Sequence, residues 1–166
     1  MYKIGDYIMY KREVCIIKSI KKNFLEGKDY YSISPIMDES LAINVPADST
    51  SIKKCITKKE ATTIISKIPS IQIVDITAKN LENTYKELLA SDDFLDLIKI
   101  IKTTYLRNKT RALSGHKIGD RDDFYFKKAE KLLYTSLGVA LNMSYDECRE
   151  YVINKVQEKE EGLFEW

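Results

Sequence analysis

Cys15, Cys55 and Cys148 are the only thiols and His116 the only imidazole in a chain of 166 residues. The thiols are odd in number and far apart, with no C-x-x-C pair, so they read as reduced, partly buried side chains of a reducing compartment. A tetrahedral zinc site needs four ligands, and these residues do not supply one. A Cys–His nucleophile survives counting alone, but His116 sits beside Ser114, Gly115 and Lys117 and reads as a turn residue. Two carboxylate triplets remain: Asp92, Asp93 and Asp96, then Asp120, Asp122 and Asp123. Both fall where helices should begin, so capping accounts for them better than acid–base work, whose paired carboxylates usually face a cleft from separate segments. No G-x-x-x-x-G-K-[ST], G-x-G-x-x-G or H-E-x-x-H occurs. The residues point to an interaction protein, with no enzyme activity, cofactor or metal expected.

Charge narrows the partner. Lys plus Arg number 27 against 25 Asp plus Glu, a net +2, too small an excess for a stand-alone nucleic-acid binder. The acidic groups are concentrated after residue 136, which leaves the preceding helices basic. Lys99, Lys102, Arg107, Lys109, Arg111, Lys117, Arg121, Lys127, Lys128 and Lys131 form either a solvated face or a weak phosphate-contacting surface that needs a second tether. The start MYKIGDYIMYKREV has no uninterrupted apolar stretch, and no window approaches the roughly 20 apolar residues that span a bilayer. A cytoplasmic chain with no membrane contact is expected.

The elements that would position these residues change period midway. Tyr7–Tyr10, Val14–Ile20, Tyr30–Ser34, Leu41–Val45 and Ser51–Ile56 read as strands, with a turn over Lys22–Lys28. Five strands in about fifty residues suggest a small, strongly bent sheet or barrel. From Thr57 the spacing is helical. Thr57-Lys58-Lys59-Glu60 is a capping box for a helix ending near Ile68-Pro69. Asp75 or Thr77 caps a second helix and Ser91-Asp92-Asp93 a third, with Phe94, Leu97, Ile98, Ile101 and Tyr105 on its buried stripe. A fourth follows Gly115–Gly119 and buries Tyr125, Ala129, Leu132, Leu133, Ser136, Leu137 and Ala140. Ser144-Tyr145-Asp146-Glu147 opens the last. The class is α+β with segregated halves.

Tyr2-Lys3-Ile4-Gly5-Asp6-Tyr7-Ile8-Met9-Tyr10, Val14-Cys15-Ile16-Ile17, Tyr30-Tyr31-Ser32-Ile33 and Asn44-Val45-Pro46 resemble, in order, strand motifs of the CarD/CdnL/TRCF family of bacterial RNA polymerase-interacting transcription regulators. Leu89-Ala90-Ser91-Asp92-Asp93 is similar to that family's SGD turn. Lys127-Lys128-Ala129-Glu130-Lys131-Leu132-Leu133 is similar to its late-helix signature. The likeness covers about residues 1 to 142. It implies a Tudor-like five-stranded β-barrel over 1–56, a connecting helix and linker over 57–76, a compact all-α DNA-contacting domain over 77–160, and a tail over 161–166. It also implies a job. The barrel would dock on the RNA polymerase β subunit, and the helical domain would touch promoter DNA at the upstream edge of the bubble, shifting open-complex stability. Such contact with DNA would be weak and depend on polymerase, and a monomer is expected.

By position, the resemblance assigns β-subunit contacts to Lys22, Asn23, Ile33, Asn44 and Pro46. It assigns DNA contacts to Lys79, Asn80, Asn83 and Lys86, and the basic helices add Lys109, Lys117 and Arg121. Ile33 and Val45 are equally well explained as core. Three departures stand out. Asn44 replaces the Arg or Met often found there. Tyr10-Lys11-Arg12-Glu13 lacks the family's Pro and Gly. Ala78 occupies the place of a Trp that wedges against the minor groove, the only Trp being Trp166 in the tail. The alternative is a Tudor-like protein-interaction adaptor with no DNA role.

Overall fold

The computed structural model describes residues 1–160 and divides into two compact units, Met1–Ile56 and a helical unit beginning at Thr57. The first is a five-stranded antiparallel sheet: β1 (Tyr7–Tyr10), β2 (Glu13–Leu25), β3 (Lys28–Pro35), β4 (Ile43–Pro46) and β5 (Ile52–Lys54). Its apolar face gathers Ile8, Cys15, Ile17, Tyr31, Ile33 and Val45, with Ile20, Ile43 and Ile52 packed against them. Strand β2 keeps that face through an irregularity. Pairing slips between Ile17 and Ser19, so Lys18 is the extra residue and Ile20 returns to the side of Cys15 and Ile17.

The expected Tudor-like barrel does not form. Strand order is β4-β3-β2-β1-β5, and β4 and β5 lie at opposite edges, each paired on one side only. Closure would require those two to join, but they are only four and three residues long. Pro46, moreover, has no N–H to give. The chain between them is spent on local turns, with the Ser49 N–H bonded to the Pro46 carbonyl at 2.9 Å and the Ser51 N–H to Ser49 Oγ at 3.2 Å.

Both long hairpins turn on two residues. Lys11 (φ 47°) and Arg12 (φ 71°) link Tyr10 to Glu13, and Glu26 (φ 52°) and Gly27 (φ 74°) link Leu25 to Lys28. Paired positive φ values are the type I′ geometry whose twist matches the flanking strands. The missing Pro and Gly at the first hairpin are thus answered by a tighter turn. The turn expected over Lys22–Lys28 shrinks to Glu26-Gly27, because β2 runs on to Leu25.

The helical unit comprises α1 (Lys58–Lys67), a 3-10 turn (Ile68–Ser70), α2 (Leu81–Ala90), α3 (Phe94–Leu113), α4 (Asp120–Leu141) and α5 (Tyr145–Glu160). Thr57 caps α1 reciprocally: the Glu60 N–H donates to Thr57 Oγ1 at 3.1 Å and the Thr57 N–H to Glu60 Oε1 at 3.3 Å. Asp93 caps α3 through the Leu95 N–H at 2.9 Å, and Ser144 Oγ accepts from the Glu147 N–H at 3.2 Å before α5. Before α2 the predicted Thr77 works as a pair with Asn80. The Thr77 N–H donates to Asn80 Oδ1 at 2.7 Å and the Asn80 N–H to Thr77 Oγ1 at 3.3 Å.

The segment expected to connect two domains is part of this unit: α1 packs on α4 and α5. Central to the unit is α3, buried well beyond one stripe, from Leu97 and Ile98 through Ile100, Ile101, Lys102, Thr103 and Thr104. Lys102 is only 4% exposed, and its ammonium donates to the Ile71 carbonyl at 3.1 Å. One residue on, Thr103 Oγ1 accepts from the Val74 N–H at 3.0 Å. These two side chains lay the extended run after Ser70 along α3.

Candidate partner and nucleic-acid interfaces

On the sheet, Asn44 and Pro46 share the outer edge. The Ala47 N–H donates to the Asp29 carbonyl at 2.9 Å, and Pro46 stands opposite Tyr30. Antiparallel pairing alternates, so Val45 and Ile43 turn their backbone groups toward β3. Asn44 turns its N–H and C=O outward, whereas the Pro46 C=O is taken by the Ser49 N–H. No residue of β4 is charged. The opposite edge, β5, carries exposed Lys53 and Lys54, the usual guard against strand addition. One edge is therefore protected by charge and the other is bare.

The other three sheet positions separate. Lys22 and Asn23 are exposed near the β2–β3 hairpin tip, where Lys22 pairs with Asp29 at 3.7 Å and the Asn23 N–H bonds Asp29 Oδ1 at 3.0 Å. Ile33 is fully buried in the sheet core, so its side chain offers a partner nothing. Beside Lys22 and Asn23 stand two apolar residues that the strand pattern did not mark. Phe24 is about half exposed, edge-on to Tyr30, with the Lys21 ammonium 4.7 Å from its ring centre. Leu25 is exposed as well.

In the helical unit, Lys79, Asn83 and Lys86 are exposed at the start and along one side of α2. Asn80 is committed to the turn that precedes the helix, its amide also donating to the Asp75 carbonyl at 3.2 Å. Ala78 is an exposed residue of that turn. Arg121 is joined to α2 through Glu82, at 3.4 Å, and remains largely exposed. Lys109 lies over Tyr105 near the end of α3, and Lys117 is exposed in the loop before α4.

Three residues of the basic series are used internally. Asp122 is 1% exposed and accepts from Arg111 Nη1 at 2.6 Å, from Arg107 Nε at 3.1 Å and from the Tyr85 hydroxyl at 2.7 Å. Arg107 also donates to the Ile76 carbonyl and Arg111 to Asn108. Asp122 is therefore no cap: it turns inward and ties α2, α3 and α4 together. Lys102, as described, is buried. Burial, and then the bond to Asp122, push the Tyr85 hydroxyl well above its ordinary pKa. Neighbouring Tyr125, bonded to Glu82 at 2.6 Å, is pushed up to about 12, first by burial and then by that carboxylate.

The residue that sequence reading missed is Phe124. It is 57% exposed, edge-on to Tyr125 at 5.1 Å, with the Lys128 ammonium 5.8 Å from its ring centre. The signal was present: Arg121, Phe124, Lys128 and Lys131 recur at helical spacing beside the buried row of Tyr125 and Ala129 on α4.

The thiols are held in their neutral form. Burial raises Cys15 to about 12 and Cys55 and Cys148 to about 11. In the helical unit Tyr145, buried against Glu130, is raised to about 12 as well. Each group has a higher pKa folded than unfolded, so the fold favours its neutral form. That contribution is complete below the unfolded values, near 9 for Cys148 and 10 for the tyrosines, and is lost as pH climbs through 11 to 12. The urea midpoint of the chain, followed by circular dichroism, is expected to stay level across neutral pH with respect to these groups and to fall steadily above about pH 9.

Among the described residues no cluster of His, Cys, Asp or Glu is arranged to hold a metal ion, and no helix is long and apolar enough to cross a membrane. No family model matches the chain, and no curated protein does either.

Proposed function

We propose that this chain is a transcription regulator that docks on the β subunit of a bacterial RNA polymerase through the bare β4 edge and presents its helical unit to promoter DNA. The ordered sequence resemblance suggests the partner. The observation that carries the docking mode is the outward N–H and C=O of Asn44, on the one sheet edge without lysine. Strand addition draws affinity from main-chain hydrogen bonds and needs such an edge. Docking then makes the DNA contact intramolecular, so a modest cationic surface suffices. A regulator of this kind shifts the promoter complex only by its differential affinity for the open form.

The test is binding of the full chain to the isolated β-subunit lobe. Asn44→Pro removes the outward N–H without touching the core, and the expected result is at least a tenfold loss of affinity. An Asn44→Pro chain that binds as well as wild type defeats the edge mode, and a wild-type chain that does not bind defeats the function. If polymerase binds but a forked promoter adds no salt-dependent affinity, the chain is an adaptor that uses polymerase alone.

A further inference from the structure

The exposed side of α4 carries a pattern that neither capping nor packing explains. Arg121, Phe124, Lys128 and Lys131 form one stripe about 15 Å long, with a single aromatic ring among three cations and exposed Asp120 one turn before the ring. Phe124 stands largely in solvent, and the Lys128 ammonium is already over its ring. The inward side of the same turns is fixed by Asp122 and Tyr125, so the stripe sits on a rigid base. Exposed Lys86 and Asn83 lie on the neighbouring helix, which Glu82 links to Arg121.

We infer that this stripe binds single-stranded nucleic acid, with Phe124 as the ring on which an unpaired base stacks and Arg121, Lys128 and Lys131 as phosphate contacts. The inference rests on the DNA half of the proposed function and names the residues and the form of DNA. Charge complementarity selects an anionic partner. An exposed ring among cations is the composition of a single-strand site, where aromatic stacking supplies affinity irrespective of sequence. A membrane surface would instead demand a broad apolar face, and α4 shows one ring. A closed duplex presents no unstacked base to that ring, so it should gain only from the cations.

The test uses the full chain at low salt, with fluorescence anisotropy of a labelled oligothymidylate, a blunt duplex of equal length, and phosphatidylserine-containing vesicles. Phe124→Ala is expected to weaken oligothymidylate binding about tenfold and to leave the duplex unchanged, whereas Phe124→Trp keeps the single-strand affinity. Lys128→Gln with Lys131→Gln should weaken both and reduce the salt slope for the single strand by about 1.4. Phe124→Ala binding as wild type, no binding to the oligothymidylate, or binding to vesicles alone would each overturn the inference. Asn44→Pro should leave oligothymidylate binding intact, and Phe124→Ala should leave β-lobe binding intact. Failure of the stripe and failure of the docking edge are therefore read separately.

Discussion

Replacing Asp122 by Asn is expected to destabilise the chain by about 3 kcal/mol, a shift of roughly 1–2 M in a urea midpoint. The carboxylate is fully enclosed and offsets two guanidiniums, Arg107 and Arg111, while accepting from Tyr85. An amide keeps the shape and one acceptor oxygen but removes the charge, which leaves two cations facing each other. The two arginine side chains are 27% and 32% exposed, so water relieves part of the penalty and holds it to the lower end of the range for broken buried pairs. The comparison is Asp123→Asn one residue away, where an exposed pair with Lys127 at 2.9 Å is lost. That change should stay under about 0.5 kcal/mol. Equal effects from the two would mean that Asp122 is not the tie between α2, α3 and α4.

Gly138→Ala should destabilise the chain by about 1–3 kcal/mol, against the usual gain from removing a helical glycine. A Cβ at this position would come within 2.8 Å of the Met143 carbonyl oxygen. That oxygen belongs to the backbone that ends α4: the Met143 N–H returns to the Gly138 carbonyl at 2.8 Å, and Asn142 adopts φ 57°. The chain doubles back over the helix end, so the space is filled by main chain, not by a flexible side chain. The added methyl must push apart the turn that sets α5 on α4. A stability measurement showing Gly138→Ala neutral or stabilising would show that the turn can yield.

The sequence made some of this visible and hid the rest for identifiable reasons. Thr57, Asp93 and Ser144 were legible as helix starts because capping is local: one oxygen, one N–H, three residues. The boundary between strands and helices was legible because the hydrophobic period changes there. Whether the sheet closes was not, because closure depends on two edge strands finding each other, and β4 and β5 signal only that they are short. The burial of α3 was underestimated because Thr103, Thr104 and Lys102 look like a polar face. Each hides its polar atom in a bond to a carbonyl or N–H that lies far off in sequence or one turn back. Asp122 looked like one more acid in a first turn, since the arginines that claim it come from another helix. Of the contact residues, Asn44 and Pro46 fall on an open edge, Ile33 falls in the core, and Asn80 is taken up by its own turn. Phe124 escaped notice beside Tyr125, whose ring belongs to the buried stripe.

The bare edge of the sheet also limits what can join it. Only two outward groups are on offer, the N–H and the C=O of Asn44, because Pro46 has no N–H and its carbonyl already accepts from Ser49. An incoming segment that slid by two residues would set a carbonyl against a nitrogen that carries no hydrogen. Proline thus works as an index mark that allows one frame of alignment and discourages stacking of further copies. So short a footprint would limit any added strand to a hold that is specific in alignment and modest in strength.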